Sequence, residues 1–430
     1  MTREDSAVVS QITGEVAHEL ATRIVKTQVN NFVERPWGGT RIRELKGLCP
    51  LPDQARIGGA GLGESFEIAA CDDDPEARDH PSRTVLPDGA VVSLPGLIDA
   101  HCEALLGRSW KARYGCRIPL LPKILDIREL LSVQGHPPGH TEVYVIIDAE
   151  PGATIRLGFR DDVDAIALAG ALRTGREHQL ALIERLRPGV DQTELQRLLA
   201  PWFAARPAQA DVLRPEIDGL LIESARRECE SLLGSLKACY WQMLDAMNEI
   251  AVVPGQIIHN ANPLRLMNVR RQARSAEVHA LGNPEGKEIV ALEIRRPGPT
   301  LRAWDNVRFP LRDIDIEAAL GVLNLSRTGP EDFLVEPKPL PGRAHTRVSV
   351  DSEYFRIEHL QPPERSCAQV GDDGTHCLHN IGAPVALARA DGRSLGRLGR
   401  GESALVPKAV DGYEVTALAA GAHVVKVTLP

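Results

Sequence analysis

The segment 134–142, QGHPPGHTE, places several possible metal ligands within a short apolar stretch of the chain. Gln134 and His136 are two residues apart, so in a strand both side chains point to the same face. Residues 137–139 (PPG) must turn the chain, and Glu142 follows on the returning strand, which predicts a β-hairpin. An amide oxygen, an imidazole and a carboxylate together predict a site for a divalent cation such as Zn²⁺, with a fourth ligand from elsewhere. The same spacing is also typical of a solvated turn.

Strands must position these side chains. The segment 142–148 (EVYVIID) and the segment 117–127 (RIPLLPKILDI) are short apolar runs bounded by Pro and Gly, which favours strands. In 288–296 (EIVALEIRR) apolar residues alternate, so Glu293 and Arg295 share one face and Leu292 lies on the other. The fold class predicted from these patterns is mainly β.

Changes in the spacing of apolar residues divide the chain into four regions. Apolar residues at helical spacing predict an N-terminal helix within residues 1–29, from Ser6 to about Lys26, and a block of helices over 163–250. We therefore predict a β domain formed by 30–162 and 251–335, interrupted by that helical insert. After a Pro-rich linker, residues 336–430 predict a second, smaller β domain.

Composition excludes several classes of protein. The 430 residues carry a formal net charge of −8 and only 4% aromatic residues, so we expect no nucleic-acid partner and no membrane partner. An anionic ligand would need a local cluster of Arg or Lys. The start of the chain lacks the apolar core of a signal peptide, and no uncharged run is long enough to span a bilayer. None of the eight cysteines forms a CxxC pair, which favours free thiols in a reducing cytoplasm. No dinucleotide, P-loop or nucleophile-elbow motif occurs.

Six segments resemble, in order, those of the type I phosphomannose isomerases, which are zinc-dependent enzymes of the cupin (jelly-roll) fold. They are VERPWGG (33–39), GESFEIA (63–69), PLLPKILD (119–126), SVQGHP with TEVYVIIDAEPGATIRLGF (132–159), HALG (279–282) and LEIRRPGPTLRAWD (292–305). Two segments near the end, EYFRIEHL and GRGESALVPKAVDGYEV, resemble the family's C-terminal cupin. The resemblance implies a cupin catalytic domain with an inserted helical domain and a second cupin-like domain.

Carried over to this chain, the resemblance implies one Zn²⁺ per chain held by Gln134, His136 and Glu142. Two histidines compete to be the fourth ligand. His279 has the family's downstream context, since Ala-Leu-Gly and then the Glu293 strand follow it. His259 has a proline five residues upstream, as the family's histidine does, but would require an insertion before that strand. We prefer His279 and keep His259 as the alternative.

The resemblance also implies the residues around the metal. Arg302 matches the family's catalytic arginine, and Ser132 and Lys123 match residues that line the substrate pocket. Arg308 falls where eukaryotic relatives have a lysine that contacts phosphate, and a forked guanidinium suits a phosphate dianion. For both arginines the alternative is a solvated strand edge. Glu293 is our candidate for proton transfer, and its alternative is a structural carboxylate paired with an arginine.

The implied activity is isomerisation of mannose 6-phosphate to fructose 6-phosphate through a cis-enediol, by a monomer or weak homo-oligomer. The chain departs from the family at several positions: His140 replaces a lysine, residues 295–296 (RR) replace Gln-Gln, and 297–299 (PGP) replace Ser-Ser-Asp. A cupin that binds a sugar or sugar phosphate without turnover is therefore the alternative function. A non-heme iron oxygenase is a third, although a Gln ligand suits zinc better.

Overall fold

The structure is a computed structural model and describes residues 14–49, 61–71, 73–207, 215–261, 276–371 and 373–430. Its helices are α1 (Gly14–Ala21), α2 (Ile42–Leu45), α3 (Pro75–Asp79), α4 (Leu94–Leu105), α5 (Arg108–Tyr114), α6 (Ala165–Ile183), α7 (Gln192–Ala204), α8 (Pro215–Asp218), α9 (Arg226–Ala246) and α10 (Ile316–Leu320), with 3-10 turns at Glu223–Ala225 and Pro330–Asp332.

Its strands are more numerous than its helices, and the predicted mainly β class is confirmed. They are β1 (Val25–Lys26), β2 (Phe32–Arg35), β3 (Gly61–Phe66), β4 (Arg83–Val85), β5 (Val91–Ser93), β6 (Lys123–Ile127), β7 (Val133–Gly135), β8 (Glu142–Ala149), β9 (Thr154–Phe159), β10 (Met247–Ala251), β11 (Ile257–Asn260), β12 (His279–Ala280), β13 (Ile289–Arg295), β14 (Leu301–Trp304), β15 (Lys338–Pro339), β16 (Thr346–Asp351), β17 (Arg356–Leu360), β18 (Cys367–Val370), β19 (His376–Asn380), β20 (Val385–Arg389), β21 (Ser394–Leu398), β22 (Glu402–Val406), β23 (Tyr413–Ala417) and β24 (Val424–Thr428).

The central domain consists of two antiparallel sheets. One has the strand order β11-β8-β13-β6-β3-β2, and the other has the order β10-β9-β12-β7-β14. A buried apolar cluster lies within this domain and includes Leu125, Tyr144, Leu157 and Ile289. These residues come from both sheets, so the strands bury one face against each other as in a jelly roll.

The predicted hairpin at 130–150 is wrong. β7 pairs with β12 and β14, whereas β8 pairs with β11 and β13, so the two strands belong to different sheets. Pro137 and Pro138 have no backbone N–H to offer a ladder, and the chain crosses here from one sheet to the other. Glu142 therefore faces Gln134 from the other sheet of the domain.

The PWGG turn of the central domain requires its two glycines. A Cβ on Gly38 would lie 2.4 Å from the Gly61 carbonyl oxygen, so two backbone segments touch there. A Cβ on Gly39 would lie 2.0 Å from Asp126 Oδ1 and 2.2 Å from Glu288 Oε1. This pair of carboxyl groups is packed under the turn, because Asp126 Oδ2 accepts hydrogen bonds from the backbone N–H groups of Arg41 and Ile42, both at 2.7 Å.

The helical insert packs on the strand that carries Arg302. Its two described long helices, α6 and α9, contact each other, and their buried residues form one cluster with Trp304 and Phe309. Gly175 in α6 makes this packing possible, since a Cβ there would lie 2.0 Å from the Trp304 ring. Asp191 caps α7 as its sequence predicts, accepting a hydrogen bond from the Thr193 N–H at 2.9 Å.

The C-terminal domain is a second pair of antiparallel sheets, with orders β1-β22-β19-β24-β17-β16-β15 and β18-β23-β20-β21. Its first sheet includes β1, which comes from the N-terminal region: Val25 pairs with Leu405 and Lys26 with Ala404. The predicted helix over 6–26 thus ends at Ala21, and its part before residue 14 lies outside the described residues. Buried, β-branched Val25 belongs to the sheet instead.

The expectation of free thiols is wrong for two of the eight cysteines. Cys102 in α4 and Cys116 after α5 form a disulfide, with Cα atoms 5.4 Å apart. The two short helices fold back on each other, so a pair fourteen residues apart meets without any CxxC spacing. No helix within the described ranges is both long and apolar enough to cross a membrane.

Candidate metal centre

Strand register brings the candidate ligands together. In the sheet that contains β7, Gln134 lies directly opposite His279 of β12 on one side and Arg302 of β14 on the other. In the facing sheet, Glu142 begins β8 and lies opposite Arg295 of β13. The site therefore forms between the two sheets of the central domain.

His136, Glu142 and His279 form a buried group whose nearest nitrogen and oxygen atoms all lie within 4.8 Å of one another. The Nε2 atom of His136 is 2.8 Å from Glu142 Oε1, and the Nε2 atom of His279 is 3.3 Å from Glu142 Oε2. The two imidazole rings stack with their centroids 5.3 Å apart. Each of the three residues is at most 2% exposed.

Backbone carbonyls set the tautomer of both histidines. His136 Nδ1 lies 3.0 Å from the Pro299 carbonyl oxygen, and His279 Nδ1 lies 2.8 Å from that of Glu277. A carbonyl oxygen only accepts, so each Nδ1 carries the proton and donates it. The Nε2 atom of each ring then faces the Glu142 carboxylate, and a cation between the three groups would satisfy both nitrogen lone pairs and the carboxylate together.

The electrostatics of the group favour the metal-ligand form of His279. Burial lowers the pKa of His279 more than the carboxylate of Glu142 raises it, which keeps the imidazole neutral. Metal coordination requires a neutral imidazole and an ionised carboxylate. The Tyr144 hydroxyl donates a hydrogen bond to Glu142 Oε2 and fixes its orientation.

Gln134 completes the donor set. Its Nε2 lies 3.0 Å from His279 Nε2, and its Oε1 accepts a hydrogen bond from the Ser132 hydroxyl at 3.1 Å. Turning the amide by half a rotation exchanges its two end atoms, which directs the oxygen at the centre. Two imidazole nitrogens, one carboxylate oxygen and one amide oxygen are a donor set that fits zinc.

His279, and not His259, is the histidine that reaches Glu142. His259 lies on β11 opposite Val143, and its neighbour Asn260 is opposite Glu142. The amide of Asn260 lies 3.1 Å from His279 Nδ1, and its Oδ1 accepts a hydrogen bond from the Glu277 N–H at 2.8 Å. Asn260 therefore holds Glu277, whose carbonyl oxygen accepts from His279 Nδ1, and so positions the ring of His279 indirectly. No pattern in the sequence predicts this role.

A cavity adjoins the group and is lined by charged side chains. Its polar lining residues are Arg35, Glu64, Glu76, Lys123, Ser132, Gln134, Glu142, Glu293, Arg295, Thr300, Arg302 and Arg312. The predicted residues Lys123, Ser132, Glu293 and Arg302 are thus brought together. Arg35, Glu64, Glu76 and Arg312 were missed, because charged residues in loops and on strands near turns usually belong to a solvated surface.

Arg302 differs from the other cations of this cavity. Within the described ranges no carboxylate lies within 4 Å of its guanidinium, and its buried Nε has no hydrogen-bond partner. In contrast, Arg312 forms a bidentate pair with Asp305, and Arg295 pairs with Asp74 at 3.0 Å. Burial and Arg312 lower the pKa of Arg302, so an anion beside it would be favourable.

Glu293 is the carboxyl group in the cavity best suited to move a proton. Burial, together with the charge of Glu142, raises its pKa to about 8. Its nearest cation is Arg295, whose Nε lies 3.8 Å away, so the ion pair is loose. A carboxyl group with a pKa near neutrality can both accept and return a proton.

The structure does not bring Arg308 and His140 into this cavity. Arg308 is buried, donates to the Leu130 carbonyl oxygen at 2.7 Å, and lines a separate cavity beside Tyr240 of the helical insert. His140 lies in the connection between β7 and β8, with its Nε2 2.8 Å from the Pro297 carbonyl oxygen. Arg308 is therefore not placed to contact a ligand at the metal centre.

Comparison with known proteins gives a fold and no closer relation. No family model matches the sequence. No curated protein matches it either. Among solved structures, mannose 6-phosphate isomerase from Bacillus subtilis is similar over 95% of this chain and 100% of that chain, with 16% identity and a TM-score of 0.60. A mutant of phosphomannose isomerase from Salmonella typhimurium covers the same shares with 16% identity and a TM-score of 0.58. A mannose 6-phosphate isomerase bound with zinc and yttrium is 17% identical over 95% of this chain and 99% of that chain, with a TM-score of 0.58. The resemblance found in the sequence is confirmed at the level of the fold.

Proposed function

We propose that this protein is a zinc-dependent aldose–ketose isomerase that interconverts mannose 6-phosphate and fructose 6-phosphate. The observation that carries the proposal is the convergence of His136, Glu142 and His279 beside a cavity that also contains Glu293 and Arg302. Among the described residues, the Arg302 guanidinium has no carboxylate within 4 Å. This reaction class needs a metal ion, a group that transfers a proton and a positively charged side chain that can approach the substrate. The fold shared with mannose 6-phosphate isomerases supports the choice of substrate.

In this proposal the zinc ion is held by Gln134, His136, Glu142 and His279. When bound, zinc acts as a Lewis acid that polarises the substrate carbonyl. The protein itself orients the two imidazole rings, because the Nδ1–H groups of both histidines already donate hydrogen bonds to backbone carbonyl oxygens. Tyr144 holds Glu142 in place, and Asn260 holds Glu277, whose carbonyl oxygen accepts from His279.

Glu293 is proposed to move the proton. Its carboxylate removes the proton from C2 of mannose 6-phosphate, the electron pair of that C–H bond forms the C1=C2 double bond, and the carbonyl pair moves onto the oxygen at C1. The carboxylic acid of Glu293 then returns the proton to C1 as the carbonyl forms at C2, and the proton of the C2 hydroxyl passes to the oxygen at C1. Arg302 stabilises the negative charge on the enediolate oxygen. Ser132 contacts the substrate through its hydroxyl, and Lys123 supplies a positive charge to its phosphate.

The test is exchange of solvent deuterium into C1 or C2 of the sugar phosphate by zinc-loaded protein, followed by NMR. We expect exchange and net isomerisation, with loss of both in His279→Ala. His259→Ala is the matched control, since it removes an imidazole from a neighbouring strand outside the group, and it should retain exchange. Zinc-loaded protein that exchanges no deuterium would contradict the proposed activity.

Binding of a sugar or sugar phosphate without turnover is the second candidate, and the pairing of charges in the cavity favours a ligand that needs little positive charge. Lys123 is neutralised by Glu64 and Glu76, at 3.4 and 3.1 Å, so less positive charge is free for a phosphate than the number of cations suggests. Saturable binding of mannose 6-phosphate to the zinc-loaded protein, with no deuterium exchange, is the result that would select this function.

A further inference from the structure

One carboxylate occupies the gap between two cations of the cavity. Glu76 Oε1 lies 3.0 Å from Arg35 Nη2, and Glu76 Oε2 lies 3.1 Å from Lys123 Nζ. Each oxygen of the carboxylate thus serves a different cation. Two oxygens of a phosphate group could make the same pair of contacts, since guanidinium and ammonium groups both bind phosphate by charge-assisted hydrogen bonds.

The exposure of these side chains shows which of them can move. Lys123 is 3% exposed and Glu64, which also pairs with Arg35 and Lys123, is 9% exposed, whereas Glu76 is 38% exposed. Glu64 lies in β3, which is hydrogen-bonded to a strand on each side. Glu76 lies in the five-residue helix α3 at the edge of the cavity. Of Lys123, Glu64 and Glu76, it is therefore Glu76 that can exchange its two ion-pair partners for water at the smallest free-energy cost.

The charge balance explains why an occupant is needed there. Arg35 is largely buried, and without Glu76 it would share the single carboxylate of Glu64 with Lys123. One negative charge would then face two positive charges in a site partly shielded from water. Burial raises the pKa of Glu76, but Lys123 and Arg35 lower it to about 2, so the carboxylate is ionised at neutral pH.

We propose that the gap between Arg35 and Lys123 is an anion subsite for the substrate, and that the Glu76 carboxylate occupies it as a competitor until a phosphate dianion displaces it. The inference rests on the proposed function for the identity of the substrate. A dianion brings more negative charge to the two cations than the carboxylate it replaces, whereas a neutral sugar brings none. Glu76 thereby selects phosphorylated sugars over neutral ones.

The test compares zinc-loaded wild type with Glu76→Gln. Inorganic phosphate is the probe, with its dissociation constant measured by calorimetry and its inhibition constant measured against mannose 6-phosphate. We expect Glu76→Gln to bind phosphate about tenfold more tightly, because the competing charge is gone. The KM for mannose 6-phosphate should fall by a similar factor, with kcat unchanged within about twofold.

The matched control is Glu103→Gln. Glu103 also bridges a lysine and an arginine, at 2.9 Å from Lys111 and 3.4 Å from Arg108, but on the surface and outside the cavity. It should leave the phosphate affinity unchanged. Glu76→Ala provides a second variant in case Gln retains a hydrogen bond to Arg35, and it should tighten phosphate binding at least as much.

Phosphate affinity that is unchanged or weaker in both Glu76 variants would overturn the subsite. The two proposals can fail separately, because phosphate binding is measured without turnover. Tighter phosphate binding in a protein that does not isomerise mannose 6-phosphate would support the subsite and refute the isomerase. Turnover with unaltered phosphate affinity would refute the subsite alone.

Discussion

The buried pair Asp126 and Glu288 predicts how the stability of the central domain depends on pH. Burial, and next the adjacent Glu288, raise the pKa of Asp126 to about 8, so its carboxyl group is protonated in the folded protein at neutral pH. The same group in an unfolded chain has a pKa of about 3.9. Between these two values the unfolded state releases a proton that the folded state retains. Stability is therefore highest below about pH 4 for this group and falls as pH rises towards 8.

The size of this pH dependence is set by the single proton that is released on unfolding. The free energy of unfolding should fall by about 1.4 kcal/mol for each pH unit within that window, or about 2.7 kcal/mol between pH 5 and pH 7. Asp126→Asn removes the titration and keeps the structure. The Asn oxygen can still accept from the N–H groups of Arg41 and Ile42, and the Asn amide can donate to Glu288.

The assay is urea unfolding of wild type and Asp126→Asn at pH 5, 6 and 7, followed by circular dichroism. Other titrating groups are shared, so the difference between the two proteins isolates this site. We expect the variant to gain about 1.4 kcal/mol on wild type with each pH unit. Asp245→Asn, which removes a surface carboxylate paired with Arg206, should give a constant difference. A constant or shrinking difference for Asp126→Asn would refute the reasoning.

Three further outcomes are expected at the metal centre. His279→Ala should weaken zinc binding by more than about 100-fold, measured by competition with a chelator, and an unchanged zinc content would remove it from the ligand set. Glu293→Gln should retain zinc and lower kcat by about 100-fold or more, and kcat close to wild type would exclude it as the proton carrier. Asp74→Asn should weaken zinc binding by about 10-fold. Asp74 accepts hydrogen bonds from Arg295 and from the Gly298 N–H at 3.2 Å, and it thereby holds the adjacent Pro299 carbonyl that orients His136. Zinc affinity equal to wild type would show that the segment 297–299 keeps its position without Asp74.

The sequence predicted that the candidate metal ligands lie together, for a reason that was partly incorrect. Gln134 and His136 do reach the centre together with Glu142, but no hairpin joins them. Alternation within one strand predicts which side chains share a face. It does not predict which sheet the next strand joins, because that depends on pairing with strands distant in the chain. His279 could be preferred over His259 only through the resemblance to known enzymes.

The rest of the site depends on loops and long-range register. Arg35, Glu76 and Asn260 come from three separate elements, and no spacing in the sequence connects them. Arg308 was assigned to the phosphate because, counted along the chain from Arg302, it falls where eukaryotic relatives of the resembled family have a phosphate-contacting lysine. In the structure the chain turns after Trp304, and Arg308 lies towards the helical insert instead. A count of residues along a strand ceases to predict position once the strand ends.

The pairing of β1 with β22 has a consequence for how this protein can be synthesised and divided. Two further contacts add to the pairing of β1 with β22. The Thr27 N–H donates to the Ser403 carbonyl oxygen at 3.0 Å, and the Lys26 side chain forms an ion pair with Glu402 at 2.7 Å. A segment made early in translation must therefore wait for residues some 375 positions later before it finds its sheet. A fragment consisting of 336–430 alone would present β22 as an unprotected edge, prone to pair with another copy. A recombinant C-terminal domain consisting of 336–430 should accordingly carry a tethered copy of 14–27.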